Sequence, residues 1–125
     1  MHELSIALSI VELAERHARE HAPREHNAPA GKPAPAIEEI ELEVGALAAI
    51  DIPSLDFALE SAVKNTLAEN AKITRHIIPG AGVCDACGAR VPMETLAQPC
   101  PRCASWQLRP TRGEELRVKS IIIDT

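Results

Sequence analysis

Four cysteines, arranged as Cys84-Asp-Ala-Cys87 and Cys100-Pro-Arg-Cys103, constrain this chain more than any other feature. The pairs stand twelve residues apart and account for every cysteine in the sequence. A CxxC turn sets two thiolates on one side of a tight knuckle, and two knuckles brought together supply the four soft ligands of a tetrahedral zinc. Such a site is coordinatively closed. With no position left for water, its expected task is folding and geometry, and the chain reads as a non-enzyme. Iron in a rubredoxin-like site is the chemical rival. Disulfide and redox readings need another context: a thioredoxin-like site has one CxxC opening a helix after a strand, whereas Gly88 and Pro101 make turns here.

The start, Met1-His2-Glu3-Leu4-Ser5, has no basic stretch before an apolar one, and nothing approaches eighteen consecutive apolar residues. A cytoplasmic protein without a membrane partner is therefore expected, and reduced thiols at this spacing favour metal over disulfide. With 125 residues and a net charge of -5, the chain makes one ordinary domain plus a small metal module and lacks the basic footprint of a general nucleic-acid binder. Tyrosine is absent, and Phe57 and Trp106 are the only aromatics, so the core must be built from Ala, Leu, Ile and Val.

Leu4, Ala7, Leu8, Val11 and Ala14 follow helical spacing up to Pro23 at the latest. Residues 22–36 carry four prolines and a glycine and read as a linker or mobile loop. From Ile37 the period becomes two. Ile40, Leu42 and Val44 alternate with Glu39, Glu41 and Glu43, a strand with one buried and one acidic face that Gly45 ends. Pro53 opens a second helix whose stripe, Leu55, Ala58, Leu59, Ala62, Val63, Thr66 and Leu67, predicts an end near Asn70. Ile73 to Ile78 reads as a second strand, parallel to the first because a helix joins them. Pro79-Gly-Ala-Gly82 breaks into the metal module, and Leu116 to Ile123 returns as a strand whose Arg117 and Lys119 face Glu41 and Glu43. The expected fold is α/β (α+β): two helices packed on a small three-stranded mixed sheet with an inserted four-cysteine zinc ribbon. Residues 1–81 with 113–125 form one domain and 82–112 the other.

The chain start offers a second metal chemistry. A free Met1 amine, the His2 amide nitrogen and the His2 imidazole close a five- and a six-membered chelate ring, with Glu3 available for the remaining position. Ni(II) and Cu(II) displace a backbone amide proton and favour planar nitrogen-rich coordination. A bulky residue at position two should also keep Met1 in place.

Met1-His2-Glu3 opening an amphipathic helix, the Glu-rich strand ending Val44-Gly45, Pro53-x-Leu55-x-Phe57, Thr66-Leu-Ala-Glu-Asn-Ala71, the two CxxC pairs and Glu115-Leu-Arg-Val118 together resemble the HypA/HybF nickel metallochaperones, in order and over nearly the whole chain. The resemblance implies a carrier that binds Ni²⁺ through Met1, His2 and Glu3 and holds structural Zn²⁺ on Cys84, Cys87, Cys100 and Cys103. It implies transfer of nickel to the [NiFe]-hydrogenase large-subunit precursor with a HypB-type GTPase, and leaves a weak homodimer among the expected partners. The chain departs from the family in the added stretch 22–36 and in Gly80-Ala-Gly82, which predicts a loose hinge.

The sequence also offers other readings. His17-Ala-Arg-Glu20-His21 matches the HxxEH pattern of zinc peptidases, but a small domain with prolines directly behind the motif offers little scaffold for a third ligand and a cleft. Histidines near a helix C-terminus are favourable through the dipole alone. His17, His21 and His26 are left as candidates for secondary metal binding, and His76 is expected half-buried on its strand. The runner-up function is a zinc ribbon that binds nucleic acid or RNA polymerase. Against it, Arg90, Arg102, Arg109 and Arg112 balance Asp85, Glu94 and the net negative charge of four thiolates on Zn²⁺, leaving the ribbon near neutral. A small metallohydrolase comes third.

Overall fold

A computed structural model describes residues 2–21 and 35–124. The elements run α1 (His2–His21), β1 (Ile37–Gly45), α2 (Ile52–Ala62), β2 (Lys72–Ile78), β3 (Gly80–Cys84), β4 (Arg90–Met93), β5 (Leu108–Arg112) and β6 (Leu116–Ile123). They form two three-stranded sheets, ordered β2-β1-β6 and β4-β3-β5. The chain divides into two compact units, one of Met1–Glu41, Ile50–Thr74 and Val118–Thr125, the other of Leu42–Ala49 and Arg75–Arg117.

In the first unit α1 packs on α2. Ala7, Ile10, Val11, Ala14 and Ala18 are the buried face of α1, rotated from the stripe expected from sequence, so that Leu4 and Leu8 stay about half exposed. Asp51 caps α2, its carboxylate accepting from the Ser54 N–H at 3.2 Å and from the Ser54 hydroxyl, with Pro53 in the first turn.

The expected continuation of α2 to Asn70 is wrong. The helix stops at Ala62, and Asn65 takes a left-handed φ of 62°, which a right-handed helix cannot contain. Thr66 organises the turns that follow. Its hydroxyl donates to the Val63 carbonyl at 2.6 Å and accepts from the Ala68 N–H at 3.1 Å. The Glu15 carboxylate of α1 accepts from the Leu67 N–H at 3.2 Å, and the Leu67 carbonyl accepts from Ile37 at 2.8 Å, tying the turn to the helix and to β1.

Pairing in the first sheet follows the sequence reading. Thr74 donates to Glu39 at 2.9 Å and the Ala46 N–H donates to the Ile78 carbonyl at 2.9 Å, contacts that advance together as parallel strands require. On the other edge the pairs Asp124–Ala36, Lys119–Glu41, Arg117–Glu43 and Glu115–Gly45 advance in opposite directions, the pattern of antiparallel strands. Ile37, Ile40, Leu42 and Val44 are buried, while Glu39, Glu41 and Glu43, alternating with them, are half-buried. His76 lies on the edge strand β2 and is exposed, not half-buried as expected.

The segment Gly80-Ala-Gly82 is also corrected: it is no break but the start of β3, the central strand of the second sheet. Glycine is required by close approach. A Cβ at Gly82 would lie 2.4 Å from Met93 Sδ and 2.7 Å from the Arg109 carbonyl oxygen. The linker expected over 22–36 falls largely outside the described residues. Its last residue is paired, Ala36 accepting from the Asp124 N–H at 2.8 Å. No described helix is long and apolar enough to cross a membrane.

Candidate metal centre

Both CxxC pairs fold as the same knuckle. Cys84 sits at the end of β3, where its N–H donates to the Ala89 carbonyl at 2.9 Å and its carbonyl accepts from Gly88 at 2.7 Å. Sixteen residues on, the Cys100 N–H donates to the Ser105 carbonyl at 2.7 Å and its carbonyl accepts from Ala104 at 2.8 Å. Each turn closes through a left-handed residue, Gly88 at φ 76° and Ala104 at φ 64°. The first cysteine of each pair is buried and the second exposed.

The four sulfurs converge. Cys84 Sγ lies 3.6 Å from Cys103 Sγ, Cys87 Sγ lies 3.8 Å from Cys100 Sγ, and all four fall within 4.8 Å of one another. A tetrahedron with metal–sulfur bonds of about 2.3 Å has edges of about 3.8 Å, so the cluster already has the size of a tetrathiolate metal site. No disulfide joins the cysteines.

Backbone N–H groups prepare the thiols for a cation. The Cys87 N–H, seconded by that of Ala86, brings the Cys84 thiol down to about 7. Cys100 is desolvated, but the N–H groups of Cys103 and Arg102 still hold its thiol below the ordinary value, with Arg102 N donating to Cys100 Sγ at 3.4 Å. The Ser105 N–H favours the Cys103 thiolate. Even so, hydrogen bonding to Cys84 Sγ, desolvation and the crowding by Cys87 and Cys100 push that thiol up to about 12. Four thiolates this close cannot all ionise until a cation neutralises them.

Sequence spacing pointed to these four cysteines, which the fold brings together, but not to the N–H donors of Ala86, Arg102 and Ser105, which only the folded turns bring to the sulfurs. Of the residues at the chain start, Met1 lies outside the described residues. His2 opens α1 and is exposed, and Glu3 in the same first turn is half-buried. Among the described residues a second set of ligand atoms within 4.8 Å comes from His17, Glu20 and His21, all exposed.

Residues 1–123 match the family described as hydrogenase/urease nickel incorporation, metallochaperone, hypA. A hydrogenase maturation factor HypA of Parabacteroides distasonis is 46% identical over 98% of this chain and 97% of its own length. One of Geobacter sp. strain M21 is 36% identical over 99% of this chain and its whole length. The solution structure of the nickel metallochaperone HypA from Helicobacter pylori has the same fold, with a TM-score of 0.66 at 22% identity and coverage of 98% of this chain and 97% of that one. The converged cysteines, the two helices with small mixed and antiparallel sheets, and a match spanning residues 1–123 make this chain a member of the HypA family of nickel-incorporation metallochaperones.

Proposed function

We propose that this protein is a non-enzymatic nickel carrier that takes up Ni²⁺ at Met1, His2 and Glu3 and delivers it to the [NiFe]-hydrogenase large-subunit precursor in the cytoplasm, with a HypB-type GTPase as partner. The observation that carries the reading is the extent of the family match, which takes in the N-terminal tripeptide as well as all four cysteines. The relatives are named for hydrogenase maturation, which favours hydrogenase over urease as the acceptor.

In this reading the two metals have different tasks. Zn²⁺ is the ion for the cysteines, because four thiolates at tetrahedral spacing leave no open position and zinc brings no redox chemistry. It folds residues 82–112. Nickel occupies the domain of residues 1–81 and 113–125, where the exposed His2 can both accept and surrender a metal by ligand exchange. An amine, a deprotonated amide and an imidazole form a planar set that suits Ni²⁺.

Hydrogenase activity in cells grown on limiting nickel tests this. His2→Ala should abolish maturation, and excess nickel should restore it, while the four-cysteine metal stays bound. Normal maturation by His2→Ala under nickel limitation would refute delivery from the N-terminus.

A further inference from the structure

We propose that His17, Glu20 and His21 on the last turns of α1 form a second binding site for a borderline divalent cation such as Ni²⁺, separate from the cysteine cluster and from the chain start. The inference does not depend on the delivery reading above. Its basis is a donor set already gathered: one ligand atom from each residue, all within 4.8 Å. Residues four apart on a helix stand one above the other on the same face, and the two rings lie with centroids 5.7 Å apart, tilted by 33°. Around an ion with bonds of about 2.1 Å, ligand atoms sit about 3–4 Å from one another, a gap that small side-chain rotations of exposed residues close.

One hydrogen bond prepares the set for metal. His21 Nδ1 lies 3.0 Å from the His17 carbonyl oxygen. A carbonyl only accepts, so Nδ1 is the donor, and in the neutral ring the lone pair is then on Nε2. Ring N–H to backbone carbonyl is the arrangement that orients metal-ligating histidines and raises their basicity.

The surrounding charge favours a cation as well. Arg16 pairs with Glu12 at 3.9 Å, Arg19 with Glu15 at 3.6 Å, and Lys119, which lines the groove beside the two rings, with Glu41 at 3.6 Å. Glu20 has no ion-pair partner among the described residues. The C-terminal end of α1 adds the negative pole of the helix dipole. Two imidazoles and one carboxylate leave open positions for water, a coordination suited to Ni²⁺, Zn²⁺ or Cu²⁺ and not to Mg²⁺ or Ca²⁺.

Nickel titration of the full chain with its cysteine cluster zinc-loaded tests the site. In a His2→Ala background one Ni²⁺ per chain should still bind. Adding His17→Gln and His21→Gln together should remove it, without changing helical circular dichroism, because both rings are exposed. Loss of an outer-shell partner alone costs ~10–100-fold in metal affinity, so Glu20→Gln, which loses a ligand, should weaken binding by at least about tenfold. In the unmutated chain, paramagnetic Ni²⁺ should broaden the His17 and His21 ring signals. Nickel binding in the His2→Ala background that survives loss of both histidines would overturn the proposal, as would no binding at all in that background or unbroadened rings at saturation.

Discussion

The packing of α1 on α2 and the pair of cysteine knuckles are two different ways to hold a chain together. The two helices pack on each other and bury Ala7, Ile10, Val11, Ala14 and Ala18 on α1 and Leu55, Ala58, Leu59 and Ala62 on α2, an aliphatic core without a single aromatic. Between residues 84 and 112 the buried side chains are Cys84, Val91, Met93 and Cys100, and two of those four belong to the cysteine cluster. Trp106, the one aromatic there, is 70% exposed, and Leu96 is 51% exposed. One region is closed by removing apolar surface from water; the other, with so little apolar burial around its cysteine cluster, has coordination as the means to close it. The same perturbation should therefore have unequal consequences in the two.

Removing a cysteine ligand should produce the largest difference. Cys87→Ser breaks a coordination set whose metal supplies an apparent ~10–16 kcal/mol in small zinc domains. The metal should leave and residues 84–112 should lose their amide dispersion, while the circular dichroism of the helices persists. Full metal retention in Cys87→Ser would show that the knuckles are not closed by four thiolates. Proton competition has a defined sign: Cys103, pushed up to about 12 in the metal-free protein, must give up a proton to bind. Affinity should therefore be higher at pH 8 than at pH 6 in chelator competition.

The reciprocal change is Leu55→Ala. Leu55 is fully buried on α2, and deleting a buried leucine side chain costs ~2–5 kcal/mol. Unfolding of the helices in denaturant should move to lower concentration by that amount, with metal affinity unaltered. A parallel loss of metal affinity would mean that the two ways of folding are coupled.

How much of this was legible in the sequence differs between the same regions. The convergence of the four cysteines was, because CxxC spacing is set by local turn geometry. So were β1 and the facing of Arg117 and Lys119 toward Glu41 and Glu43, since period-two patterning fixes which side chains share a face; the pairing of Arg117 with Glu43 and Lys119 with Glu41 came from the register of the folded sheet. The end of α2 was not. Val63, Thr66 and Leu67 keep the helical period, yet Asn65 turns left-handed where Thr66 and Glu15 offer the backbone other partners. Nor was β3, since Gly80 and Gly82 have the composition of a break while tertiary crowding makes them a central strand. Periodicity reports a buried face but not which helix will cover it, which is why Leu4 and Leu8 were placed in the core and are exposed.

That crowding gives the next prediction. Gly82→Ala would drive a methyl group against Met93 Sδ and the Arg109 carbonyl, and overpacking of this kind costs ~1–3 kcal/mol. The melting temperature of the metal-loaded protein should fall. A neutral result would mean that β5 can move off β3, leaving the second sheet held by the metal alone.

The smallest effect compares the knuckles with each other. Gly88 and Ala104 hold equivalent places, each donating to the carbonyl of the first cysteine of its pair, and both are left-handed. Only the first is glycine. An alanine in this conformation is strained by roughly 1 kcal/mol, partly offset because glycine gives the unfolded chain more freedom. Ala104→Gly should then stabilise the metal-loaded protein by a few tenths to about 1 kcal/mol, and Gly88→Ala should destabilise it by a similar amount. No heavy atom lies within 4 Å of a Cβ placed on Gly88, so the cost there is backbone strain and not crowding. Thermal unfolding of the two variants at fixed metal occupancy reads both signs. If Ala104→Gly destabilises instead, the second knuckle is held by contacts of the Ala104 methyl, and the equivalence of the two turns is lost.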